Sequence, residues 1–171
     1  RCFGDLVIEV ALIRPGPLQG GMVHPFYRRR QGLEPVTFPH PSLEPVLGDT
    51  MGVIVFQEQV MQVAMAVGGL SAVEAARLRR AISGHRSTDE VLTLQQRFLA
   101  GARERGISQE YAEELFERMI AFASKYGFCR SHAAAFAKTA YDSLWLRHYY
   151  PAAYYCSVLN SEPMGFYAPR I

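Results

Sequence analysis

The stretch after Ser108 constrains the fold most. Tyr111, Leu115, Met119 and Phe122 form one stripe, flanked by Ala112, Phe116 and Ala123. Glu110, Glu113, Glu114, Glu117 and Arg118 fall on the opposite side. At 3.6 residues per turn this gives a helix with one apolar and one solvated face. Ser108 stands where an N-cap belongs. The same period governs most of the chain beyond Phe56. From Gln57 to Val67, Val60, Ala64 and Val67 share a face, with Met61 and Met65 beside it. Ser71 followed by Glu74 is a capping box that opens a helix to about Ser83. Ser87 or Thr88 caps the next helix, which Gly106 ends. From Ser131 to Tyr150 the chain is apolar on most sides, which predicts a central, buried helix about 30 Å long, with Ser131 as its cap. Pro151 suits the first position of a last helix reaching Leu159. Only Val53 to Phe56 reads as strand.

The first half is looser. Pro15-Gly16-Pro17 breaks a first helix over Asp5 to Ile13, and a second, basic helix is expected from Gly21 to Arg30. Residues 31–52 are rich in Pro and Gly and read as loop with short turns. The expected class is all-α: a loop-rich lead-in with short helices over 1–52, then a helical bundle over 53–171. With 171 residues, 49% hydrophobic and 20% charged, the chain is globular in composition and suits one domain or two small ones. Charges interrupt every long apolar stretch, so no membrane span is expected. Three cysteines without a Cys-x-x-Cys pair argue against a disulfide framework and for a reducing cytoplasm. The chain starts at Arg1 without an initiator methionine, so it is expected to be a piece of a longer protein.

A net charge of +2 does not by itself announce a nucleic-acid binder. The signs are unevenly placed, however: seven arginines against four acids between Ser71 and Gly106, then mostly acids between Ser108 and Arg118. Within the basic part, Leu78-Arg79-Arg80-Ala81 sets two guanidinium forks about 100° apart on a helix, a geometry that can flank a phosphate group. A solvated basic face is the simpler reading of that pair. In Tyr126-Gly127-Phe128-Cys129-Arg130-Ser131-His132, the glycine breaks one helix and Ser131 caps the next. A helix N-terminus, a ready anion site, then lies beside Arg130 and His132. Phe136 follows one turn after His132. A capped core helix with a satisfied histidine explains these residues equally well. In Gln57-Glu58-Gln59, Glu58 is a candidate acid or base and the amides can read a base edge or a sugar, although a polar helix start is the commoner role. Arg28-Arg29-Arg30 fits phosphate contact or an ordinary exposed helix end. Cys129-x-x-His132 has no second half of matching spacing, so no metal site is expected. No glycine-rich phosphate loop, nucleophile elbow, zincin histidine pair or cluster of aspartates is present, so no catalytic residue is assigned.

Several ordered segments together resemble the bacterial C-family DNA polymerases, the DNA polymerase III alpha subunit family. Ile13-Arg14-Pro15-Gly16-Pro17 is similar to that family's Arg-Pro-Gly-Pro element. Pro39-His40-Pro41 with Leu43-Glu44-Pro45, then Gly52 through Phe56-Gln57-Glu58-Gln59-Val60-Met61-Gln62, resemble its next block. Leu78-Arg79-Arg80-Ala81, Tyr126-Gly127-Phe128 through Ser131-His132-Ala133-Ala134, Trp145-Leu146 and Tyr150-Pro151-Ala152 follow in order. The tail from Leu159 to Tyr167 resembles the error-prone branch. The resemblance covers essentially the whole chain and implies the fingers region.

It implies that Arg79, Arg80, Ser131, His132 and Phe136 bind the incoming deoxynucleoside triphosphate, with Arg14, Gln57, Glu58 and Gln59 in support. Arg28, Arg29, Arg30 and Arg130 would contact the template–primer. The resemblance implies that the metal-binding palm lies outside this chain. The fragment would then hold no cofactor and be inactive alone, with magnesium in the full-length enzyme and the palm and thumb as neighbours. Cys129-Arg130 departs from the residues common in relatives, as does Lys138, which can pair with Asp142 one turn on. The rivals are a stand-alone helical nucleic-acid-binding module and a protein-interaction domain.

Overall fold

The computed structural model describes residues 2–13, 23–83, 88–125 and 127–161. Among them the chain forms α1 (Phe3–Leu12), α2 (Val23–Arg30), α3 (Glu44–Leu47), α4 (Gln57–Ala66), α5 (Ala72–Ser83), α6 (Thr88–Glu104), α7 (Gln109–Lys125), α8 (Arg130–Tyr149) and α9 (Pro151–Ser161). Short 3₁₀ turns at Pro41–Leu43 and Gly48–Thr50 flank α3. The class is all-α, as the periodicity requires.

Local capping sets several of these boundaries. The Ser71 N–H donates to Glu74 Oε2 at 2.7 Å and the Glu74 N–H donates to Ser71 Oγ at 3.3 Å. The bond from the Ser71 backbone, followed by that from its hydroxyl, holds the exposed Glu74 carboxyl below the usual range. Ser108 Oγ accepts from the Tyr111 N–H at 3.4 Å, which starts α7.

Two apolar clusters result. The larger one is the bundle: Val60, Val63 and Val67 of α4, Leu78 and Ile82 of α5, Leu94 and Phe98 of α6, and Leu115, Phe116, Met119 and Phe122 of α7. The Phe98 and Phe116 rings meet at 5.3 Å between centroids. The helix α6 crosses the turn after α4 so closely that a Cβ on Gly101 would lie 1.9 Å from the Gly68 carbonyl oxygen. Only glycine fits that crossing. The second cluster joins Val7, Ile8, Ala11 and Leu12 of α1, Phe26 of α2, Val55 and Phe56, and Ala133 and Ala137 of α8. The two alanines let α8 lie close against α1.

Two expectations need correction. The helix α8 has the expected length but is not central or buried. Of its residues only Ala133 and Ala137 are buried, while Tyr141, Leu144, Trp145, Leu146 and Tyr149 are exposed. In α9 no residue is buried. An apolar composition alone does not bury a helix: the described residues supply no cover for these side chains. The second correction concerns Val53 to Phe56, which forms no strand. The Val55 and Phe56 N–H groups donate to Gln59 Oε1 at 2.8 and 3.0 Å, so a side-chain amide replaces the ladder partner.

Candidate functional site

Three consecutive residues at the head of α4 bind three different neighbours. The buried Gln59 takes the two N–H groups just described, and its Nε2 donates to the Val46 carbonyl at 3.2 Å and to Thr50 Oγ1 at 2.8 Å. Its amide is satisfied inside the fold, so Gln59 holds the connection into α4 and presents nothing to a ligand. Glu58 reaches across to α8, where both carboxylate oxygens accept from the Arg130 N–H at 3.1 and 3.0 Å. Gln57 Oε1 accepts from Arg79 Nη1 at 3.2 Å and from Cys129 Sγ at 3.5 Å, and the Gln57 N–H donates to the Phe128 carbonyl at 2.9 Å.

The start of α8 differs from the expected Ser131 cap. Cys129 occupies the N-cap position without a side-chain cap bond. The Glu58 carboxylate does the capping instead, from another helix. A negative group at a helix N-terminus is favourable for the dipole, so this part of the anion site is already answered by the protein. Ser131 and His132 lie in the exposed first turn. The His132 ring stands edge-on between Phe128, at 5.0 Å, and Phe136, at 4.6 Å between centroids. Phe136 remains 53% exposed, so the ladder ends in an open aromatic face.

The two arginines of α5 diverge. Arg79 is half-buried and turned toward Gln57, whereas Arg80 is exposed and its Nε donates to the Ala76 carbonyl at 3.4 Å. Through Gln57, the Arg79 guanidinium and the N-cap of α8 are two hydrogen bonds apart. The structure therefore brings together Arg79, Gln57 and the residues at the head of α8. It does not aim Arg80 the same way.

Arg130 pairs with Asp49 and lies over the Phe56 ring, with its guanidinium carbon 5.1 Å from the centroid. The three arginines of α2 also separate. Arg29 turns inward and donates from Nη1 to the Met51 carbonyl at 2.7 Å. Arg28 pairs with Glu34 and Arg30 with Asp5, each at 2.5 Å and on exposed surface. Such pairs contribute little and can exchange for another anion. Arg14 lies outside the described residues. The residue that sequence reasoning missed is Asp49, whose pairing with Arg130 spans 81 positions and leaves no local signal. Among the described residues no group of three or more His, Cys, Asp or Glu is placed to hold a metal ion. No described helix is long and apolar enough to cross a membrane.

The family described as bacterial DNA polymerase III alpha subunit finger domain matches residues 1–106. This chain belongs to that family. The match to the finger domain carries the chain through α6, and longer overlaps with curated relatives take in α7, α8 and α9. The Error-prone DNA polymerase of Anaeromyxobacter dehalogenans (strain 2CP-C) is 53% identical over 170 residues, covering 99% of this chain and 15% of the relative. That of Corynebacterium jeikeium (strain K411) is 51% identical over 171 residues, again 15% of its length. That of Vibrio vulnificus (strain YJ016) is 48% identical over 168 residues, 16% of its length. The finger-domain chain thus spans less than one-fifth of these relatives.

Proposed function

We propose that this finger domain binds the incoming deoxynucleoside triphosphate and the template–primer of a bacterial error-prone DNA polymerase. The observation that supports the reading most is the convergence of Arg79, through Gln57, on the head of α8, where Ser131, His132 and Phe136 are exposed. A guanidinium, a hydroxyl, an imidazole and an open aromatic face within one region suit a triphosphate with its sugar. Arg79 carries the phosphate charge, with Arg80 as a second, outward cation. Ser131 and His132 supply donors and Phe136 packs on the sugar. Arg14 is kept in the set on the family resemblance.

Arg28, Arg30 and Arg130 are assigned to the DNA backbone. Their exposed ion pairs give up a carboxylate for a phosphate at small cost. Arg29 holds the Met51 carbonyl and supports that surface from beneath. The reaction is attack of a primer 3′-hydroxyl on the α-phosphate, releasing pyrophosphate. Its metal-binding carboxylates belong to the palm of the parent chain, so this domain alone catalyses nothing. Segments 1–52 and 53–171 work as one fingers unit in a cytoplasmic enzyme. The exposed apolar face of α8 and α9 meets the palm and thumb.

The test is steady-state nucleotide incorporation by the full-length polymerase. Arg79→Ala removes charge-assisted bonds of roughly 1.5–3 kcal/mol each, so kcat/KM for the nucleotide falls roughly 10- to 150-fold. Unchanged kinetics would remove Arg79 from the site.

A further inference from the structure

The head of α4 does more than begin a helix. Gln57 is the only one of its three polar residues whose side chain meets a cation of the proposed grip. Its carbonyl oxygen sits between two donors, Arg79 Nη1 on α5 and Cys129 Sγ at the N-cap of α8. Its backbone N–H donates to the Phe128 carbonyl, on the ring ladder that leads to His132. The other side of the amide fills the space left by Gly127: a Cβ there would lie 2.5 Å from Gln57 Nε2 and 2.9 Å from its Cγ. One side chain is thus fixed on three sides, by α5, by the N-cap of α8 and by the 127–128 segment. An amide oxygen is also the acceptor suited to this place. It orients a guanidinium without neutralising it, whereas a carboxylate would hold Arg79 as an ion pair and compete with phosphate for it.

We propose that Gln57 is a positioning residue that aims the Arg79 guanidinium at the head of α8 and does not itself touch the nucleotide. The inference rests on the nucleotide-binding reading above. It assigns to Gln57 a role through Arg79, in place of direct contact with a base or sugar. A long, flexible arginine left without this acceptor samples many rotamers, and misplacing a binding group by about 1 Å can lower rates on the order of 100-fold.

The test is a double-mutant cycle in the full-length polymerase with Gln57→Met and Arg79→Ala. It reads the nucleotide KM and kcat separately, together with primer–template affinity and thermal unfolding. Methionine keeps the volume beside Gly127 and removes the acceptor. The expected result for Gln57→Met is a rise in nucleotide KM on the order of 10- to 100-fold. The expected DNA affinity and melting temperature are unchanged, and no further loss appears when Arg79→Ala is already present. Additive losses, or an unchanged KM in Gln57→Met beside an impaired Arg79→Ala, would overturn the inference and leave the nucleotide reading standing. An unchanged kcat/KM in Arg79→Ala would overturn that reading and the inference with it. Where Gln57→Met lowers the melting temperature, Gly127→Ala is judged by the same criteria, because its methyl displaces the Gln57 amide from the opposite side.

Discussion

The first turns of α8 rest on α1 through Ala133 and Ala137, and their N-terminus is capped from α4 by Glu58. From Tyr141 onward the same helix carries Leu144, Trp145, Leu146 and Tyr149 in the open, and α9 continues that surface with Tyr155 and Leu159. The bundle of α4 to α7 is the opposite case: Phe98, Phe116 and Met119 are fully enclosed by residues of this chain. Both regions are equally helical and similarly apolar. They differ in whether their apolar face has a partner among the described residues. The bundle is a self-sufficient scaffold. The α8–α9 arm leaves its apolar face uncovered among the described residues, and the residues proposed to bind the nucleotide lie at the junction between the two.

The largest expected effect is in the bundle. Phe98→Ala should lower stability by about 3–5 kcal/mol in chemical denaturation, since it empties the centre of a closed core. The link into α4 ranks beside it. Gln59→Leu leaves the buried Val55 and Phe56 N–H groups without an acceptor, at about 1–3 kcal/mol for each group left unpaired, read in the same assay. The smallest effect is on the arm. Trp145→Ala should change the stability of this chain by no more than about 0.5 kcal/mol. If the palm and thumb cover the arm in the parent polymerase, as proposed, the same substitution should cost measurably more there. A loss for Trp145→Ala in this chain equal to that of Phe98→Ala would abolish the distinction between scaffold and arm.

What the sequence made legible was local. Ser71 with Glu74, and Ser108 before Tyr111, are caps within three residues, so the pattern and the bond coincide. The stripe of α7 faces the bundle because its apolar partners lie in the same chain. The cap of α8 was not legible, because Glu58 supplies it from 72 positions away while the nearby Ser131 offers a plausible substitute. Val53 to Phe56 has strand-forming residues, but no periodicity reveals that Gln59 will take its N–H groups. Arg79 and Arg80 read as an equivalent pair. They part because only Arg79 has Gln57 within reach, and that contact spans 22 positions. The exposure of α8 escaped the sequence for a different reason: an apolar composition does not say whether neighbouring elements will cover it.

The claim that binds these observations is that the nucleotide sits between Arg79 and the head of α8. Photo-crosslinking of a base-modified, azide-bearing deoxynucleoside triphosphate to the full-length polymerase in the presence of primer–template, with peptide mapping, tests it directly. The expected label falls within residues 127–136 and is competed away by the natural nucleotide. Specific labelling confined to the bundle surface, to Arg28–Arg30 or to parts of the parent chain beyond this domain would contradict the account.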